Sequence, residues 1–187
     1  FGLANEQGYL TNAGALVADE SPIRWSRLFC TRWNGLNKSG GTIDAFDDAE
    51  YSGSVLSLLD NGEAFIKRNA KLMWRKTANS REEMPEYVER SYHEALVNAL
   101  AHRDYQNQGS VYVKHYPDKV VIENPGGFPE GITQNNIITH PSVSRNKLIA
   151  ETLQRLKYVQ RTGQGVDIIY REIVSSGKPY PEYRSYR

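Results

Sequence analysis

The run His93-Glu-Ala-Leu-Val-Asn98-Ala-Leu-Ala-His102 constrains this chain most, because it sets an apolar face and a polar stripe side by side on one helix. At about 100° per residue, Glu94, Asn98 and His102 sit near 0°, 40° and 80°, whereas Val88, Tyr92, Ala95, Leu96, Ala99 and Leu100 fall between roughly 100° and 240°. The spacing predicts a helix that packs on a core while presenting a carboxylate, an amide and an imidazole to one side. A carboxylate can accept a proton from an attacking water. An ordinary amphipathic helix with a solvated polar face has the same pattern, so the stripe alone does not decide between them.

The segments around this helix give the order of the remaining elements. Residues 110–116 and 119–124 read as two strands joined at Tyr116-Pro-Asp-Lys119, where proline presets the turn and aspartate supports it. Asn124-Pro-Gly-Gly127 follows, then a polar stretch, a helix over 147–158, and Gly163-Gln-Gly165 ahead of a helix over 166–174. Upstream, strands are expected over 23–33 and 42–46, with loops at Asn34-Gly35 and Lys38-Ser-Gly-Gly41. A helix over 51–71 carries Val55, Leu58, Leu59, Gly62, Phe65 and Ile66 at helical spacing, a stripe that reads as core packing. Arg81-Glu-Glu-Met-Pro85 reads as the opening of the second region, with proline in the first helical turn. A boundary near residue 80 gives an N-terminal α+β region over 1–80 and a second domain over 81–187, unless the long helix of the first packs on the sheet of the second.

Composition narrows the function classes. A chain of 187 residues that is 39% hydrophobic has enough apolar surface for one larger domain or two small ones. The single Cys30 rules out an intrachain disulfide framework and a cysteine metal site. No apolar run of membrane-spanning length and no secretion leader occurs, so the chain reads as cytoplasmic, with no membrane partner. Its start at Phe1 and its end in Tyr183-Arg-Ser-Tyr-Arg187 suggest a piece of a longer protein. A net charge of +1 is not the strong basic balance of a domain devoted to nucleic acid. Charge is locally uneven: Lys67, Arg68, Lys71, Arg75, Lys76 and Arg81, with Trp74 among them, form a phosphate-facing patch or a solvated helix face.

Glu94 four residues before Asn98 resembles the N box of the GHKL ATPases, the superfamily of gyrase, mismatch-repair ATPases, heat-shock chaperones and sensor histidine kinases. The order helix, hairpin, glycine turn, lid-length segment, glycine pair and helix is similar to theirs. Glu94 to Tyr105, Asn124 to Gly127, Arg145-Asn146 and Gly163 to Gly165 look like a RecG-related branch of bacterial and archaeal transcriptional regulators. That likeness reaches upstream through Leu10 to Gly14, residues 23–35 and 81–87. Members of the branch usually add a Schlafen/AlbA-like DNA-binding domain before this region and often a winged helix after it. The resemblance implies an α/β fold, an α+β two-layer sandwich whose mixed, largely antiparallel sheet is covered by helices on one face.

It also implies ATP and Mg²⁺ as cofactors, Glu94 as the catalytic base that orients water, and Asn98 as the magnesium ligand. His102 would contact phosphate or cap the helix end. The adenine-reading position of the superfamily falls on Asn124, or on Glu123 in an alternative register, followed by Gly126 and Gly127. Asn-Pro-Gly-Gly also suits a plain turn. Gly163 and Gly165 would let backbone N–H groups approach phosphate at a helix N-terminus, or form a loop before it. Arg145 would reach phosphate as a bidentate donor, or cap structure within its own segment. The expected function is ATP binding with slow hydrolysis, coupled to DNA by domains outside this chain, in a monomer or homodimer. Alternatives are a degenerate scaffold or dimerisation module, and a nucleic-acid module built on the run from Lys67 to Arg81. No P-loop motif occurs, so helicase activity is not expected.

Overall fold

The computed structural model describes residues 2–38, 44–159 and 163–186. Its elements run α1 (Asn12–Val17), β1 (Arg27–Trp33), β2 (Ala45–Ser52), α2 (Val55–Asn69), β3 (Leu72–Lys76), β4 (Arg81–Pro85), α3 (Glu89–Ala101), β5 (Val111–His115), β6 (Val120–Glu123), α4 (Lys147–Arg155) and α5 (Gly165–Ser175). The main sheet has the order β2-β1-β5-β6, with β1 parallel to β5 and the other two pairs antiparallel. It is an α+β two-layer sandwich with a mixed sheet.

Alternation along the two central strands sorts their side chains. Leu28 and Cys30 of β1 and Val111 and Val113 of β5 point to the helical layer and are fully buried. Leu58, Leu59 and Phe65 of α2 and Leu96 and Leu100 of α3 meet them there. Ser54 starts α2, its hydroxyl accepting from the Ser57 N–H at 3.1 Å, as an N-cap serine should. The strands of the main sheet come from both sides of residue 80, and so do the helices on it.

The other face of the sheet is partly exposed, with Tyr112 open to solvent and Tyr116 buried. Phe29 stacks on Tyr112 with ring centroids 5.5 Å apart, and Trp33 stacks on Tyr116 at 6.5 Å. Between the two stacks, Thr31 donates to Asp48 at 2.8 Å and Lys114 pairs with Glu123. Arg27 pairs with Glu50 at 3.0 Å on the same side.

Several boundaries differ from the sequence expectation. The strand expected over 42–46 is β2 at Ala45–Ser52, so Tyr51 lies in a strand and the following helix begins at Val55; residues 42 and 43, like 39–41 of the expected loop, lie outside the described residues. The strand expected from residue 23 starts at Arg27. The larger correction concerns Arg81–Pro85, expected to open a helix: it is strand β4, paired antiparallel with β3 from Lys76↔Arg81 to Leu72↔Pro85. Pro85 ends the ladder instead of starting a helical turn, a place where its missing N–H costs nothing. The basic run is therefore not one helix face. It is divided between the end of α2 and a hairpin, and Arg68 is turned back onto Asp47 at 2.8 Å.

Candidate functional site

Helix α3 carries the site on the flank not used by the sheet. Tyr92, Leu96, Ala99 and Leu100 enter the core as the spacing requires, but Glu94 and Val97 are buried too. The cover over that second flank is α5, whose Ile168 and Ile169 are buried. The approach is close enough to depend on a missing side chain: a Cβ at Gly165 would lie 2.9 Å from Asn98 Nδ2 and 3.2 Å from a Glu94 carboxylate oxygen. The first turn of α5 thus faces the polar stripe directly.

Glu94, Asn98 and His102 line one pocket together with Gly163, Gly165, Ser142 and Ser144, and with Ala150, Leu153 and Val159 as its apolar wall. Burial holds the Glu94 carboxyl above the ordinary carboxylate range, against the opposing pull of His93 and Arg90, and so makes it a better proton acceptor. His102 is the C-cap of α3; burial, with Arg145 adding to it, holds its imidazole below the ordinary range and therefore neutral at pH 7. Ser144 Oγ is buried without a hydrogen-bond partner. Ser142 and Ser144 escaped the sequence reading because two serines in a polar loop carry no pattern. Their one signal is position, just ahead of a helix start at Asn146.

The end of α3 is held by residues that sequence alone left ambiguous. Arg145 donates to the carbonyl of His102 at 3.1 Å and to that of Gly127 at 2.7 Å. Asn146 donates to the carbonyls of Ala101 and Arg103 at 2.9 and 2.7 Å. Both side chains satisfy carbonyls that a helix terminus leaves without intrahelical partners. The glycine turn is built into the same clamp, since Gly126 has φ +99° and a Cβ there would collide with the Arg145 guanidinium. Asn124 donates to the Pro125 carbonyl at 3.3 Å and, like Gly126 and Gly127, stands outside the lining of the pocket. Arg161 and Thr162, which precede the glycine pair, lie outside the described residues.

The pocket is small in this conformation, about 40 Å³, room for a water or two rather than a nucleotide. Its outer wall is anchored by His93, one residue from Glu94. One ring nitrogen of His93 bonds Glu63 of α2, and the other donates to the Tyr158 carbonyl at 2.6 Å. The Glu63 bond and the carbonyl raise the imidazole to about 9, so at neutral pH it is a cation bridging three segments. Its ordinary value is about 6.5, so its contribution to stability is complete below about pH 6.5, shrinks between about 6.5 and 9, and is gone above that. We expect wild type to exceed His93→Gln in stability by about 1–3 kcal/mol near pH 6 and to lose that margin near pH 9.5. Urea unfolding of both proteins at the two pH values measures it.

Residues 108–187 match a protein family described as "Putative ATP-dependent DNA helicase recG C-terminal". This supports a RecG-related, ATPase-like domain. The match takes in β5, β6, the glycine turn, Arg145 and the Gly163-Gln-Gly165 run, and begins after α3 with Glu94 and Asn98. Among solved structures, the chain is similar to the DIP2311 protein from Corynebacterium diphtheriae, with a TM-score of 0.77 over 97% of this chain and 24% identity. That likeness shows the fold, and this chain spans 36% of that protein's length. No curated protein matches the chain. Among the described residues no helix is long and apolar enough to cross a membrane.

Proposed function

We propose that the pocket between α3 and α5 is a nucleotide site that binds ATP with Mg²⁺ and hydrolyses it slowly, within a regulator whose contact with DNA lies in other domains. The observation that carries this reading is the approach of Gly165 to Asn98 and Glu94, which brings a helix N-terminus against an amide and a carboxylate. The N-terminal N–H groups of α5 favour an anion, and glycines let a phosphate come close to the backbone. Among the described residues no group of three or more His, Cys, Asp or Glu side chains could cage a metal. Asn98 would hold a magnesium ion together with the nucleotide rather than within a protein cage. Such an ion would supply charge neutralisation at the phosphates. Glu94 takes a proton from water, its basicity raised by burial. Ser144, whose buried Oγ has no hydrogen-bond partner, is a further potential donor in the pocket lining.

The Asn98 role has a direct test. Asn98→Ala should weaken Mg-ATP binding by about 1 kcal/mol or more, the worth of a polar contact to a charged group, as read by calorimetric titration. An unchanged affinity would remove Asn98 from the site.

The small pocket favours a second reading, a degenerate ATPase fold kept as a scaffold. An adenine nucleotide needs a cavity of roughly 300 Å³ or more, so on the nucleotide reading part of the stretch from Phe128 to Arg145 must move outward to admit it. The stretch from Gly126 to Ser144 has neither helix nor strand and is held mainly by local turns, such as Asn136 bonding Thr133 and Gly131. Hydrogen exchange over 133–145 that slows on adding Mg-ATP accords with nucleotide entry there. Exchange that nucleotide leaves unchanged accords with the scaffold.

A further inference from the structure

His93 stands beside Glu94 on α3 but is not among the residues that line the pocket. Its two ring nitrogens meet two oxygens that only accept: the ionised Glu63 carboxylate at Nδ1, and the Tyr158 carbonyl 2.6 Å from Nε2. A neutral imidazole has a single N–H. It can serve one of these oxygens and must turn a lone pair toward the other, so both bonds together require the doubly protonated ring. The titratable groups that face it bring no positive charge to oppose that state. They are Asp60 and Glu63 of α2, Glu94 of α3 and the Tyr158 hydroxyl.

The stretch held by this bridge is one that its own backbone holds poorly. Beyond the end of α4, Lys157 has φ +64°, the left-handed conformation in which a helix end usually places glycine. The N–H groups of Lys157 and Tyr158 close the helix by donating to the carbonyls of Gln154 and Leu153 at 3.0 and 2.9 Å. Val159 comes next, and it forms the apolar wall of the pocket with Leu153 and Ala150. We propose that His93 is a positioning residue of the nucleotide site: as a cation with two donors it ties residues 157–159 to α2 and α3 and so fixes that wall. The proposal rests on the nucleotide reading of the pocket. Residues 157–159 are then the fixed side of the site, and the stretch from Phe128 to Arg145 is the side that moves.

The need for two donors separates this role from simple packing. When the ring loses a proton, the charged Glu63 keeps the remaining N–H, and the lone pair on Nε2 is set against the Tyr158 carbonyl oxygen. One bond becomes a repulsion, and residues 157–159 lose their tie. Glu63→Gln removes this dependence. A carboxamide can donate, so the glutamine NH₂ serves Nδ1 while the ring N–H at Nε2 stays on Tyr158. In that variant the bridge stands with a neutral ring, and raising the pH no longer breaks it.

Carbon-detected NMR of the nucleotide-free chain, titrated from about pH 6 to about pH 10, reads the bridge through the His93 ring and the Tyr158 carbonyl. In wild type both signals should move together with a midpoint of about 9. In Glu63→Gln the ring should titrate at or below its ordinary value of about 6.5, and the Tyr158 carbonyl should not move above that. Calorimetry with Mg-ATP reads the consequence for the site. Wild-type affinity should fall about tenfold between about pH 7.5 and 10, the scale of one charge-assisted hydrogen bond, and that of Glu63→Gln by less than about twofold. A wild-type ring that titrates near 6.5, or a Tyr158 carbonyl that does not follow it, overturns the bridge. Coupled titration with an Mg-ATP affinity that does not change with pH overturns the positioning role and leaves the pocket a nucleotide site. A folded chain that binds no Mg-ATP at either pH fails the nucleotide reading itself and takes the positioning role with it.

Discussion

Leu96→Ala should lower the stability of the chain by about 2–5 kcal/mol, the cost of an uncollapsed cavity in a packed core. Leu96 is fully buried on α3, and its side chain converges with Leu28 of β1 over Gly62 of α2. The loss is a large part of the roughly 5–15 kcal/mol that holds a domain folded. The form of the transition is as informative as its midpoint. Leu28 and Gly62 precede residue 80 and Leu96 follows it, so one cavity touches both halves of the chain. Urea unfolding followed by tryptophan fluorescence, where Trp25 and Trp33 report on the N-terminal half, should coincide with unfolding followed by circular dichroism. Both curves should shift together in Leu96→Ala. A first transition that ignores the substitution would mean that the halves unfold as separate bodies.

Glu94→Ala should lower ATP turnover by about 10²–10⁴-fold, the usual contribution of a positioned general base, while leaving Mg-ATP affinity close to wild type. The expectation rests on burial, since a carboxylate held above its ordinary range by desolvation accepts a proton from water more readily. The sign of the pH dependence follows. Turnover should fall on the acid side as Glu94 is protonated, at a higher pH than an ordinary carboxylate would give. Single-turnover rates at saturating nucleotide separate this from a binding defect. Loss of affinity equal to the loss of rate would assign Glu94 to binding or to the packing of α5.

The α3 stripe, the β5–β6 hairpin and the helices α4 and α5 were legible because each pairs a clear period with turn residues at its ends. β2 was read too early because polar residues lie on both of its faces: Asp48 and Glu50 on the exposed side, Asp47 on the other. Arg81–Pro85 was misread for a different reason. Its glutamates and methionine are good helix formers, and what makes it a strand is its pairing with residues 72–76, a contact that no local propensity encodes. In the site, helical spacing was enough to gather Glu94, Asn98 and His102, and the glycine pair came to them because α5 needs a close approach. Arg145 and Asn146 were recognised as polar residues of interest, but their partners are backbone carbonyls at the end of α3. A carbonyl partner leaves no trace in the side-chain sequence. Ser144 shows the converse limit, a residue type too common in loops to stand out until its buried hydroxyl is seen without a partner.

A nucleotide site between α3 and α5 requires that the space there admit ATP. Isothermal titration of the wild-type chain with ATP, run with and without Mg²⁺, measures this most directly. A nucleotide site there should show saturable binding that strengthens when magnesium is added, because Asn98 would offer one ligand to the ion. Folded protein that binds no ATP up to about 1 mM, weaker than roughly 4 kcal/mol of binding free energy, with or without magnesium, would contradict it and leave the α3–α5 pocket a structural joint.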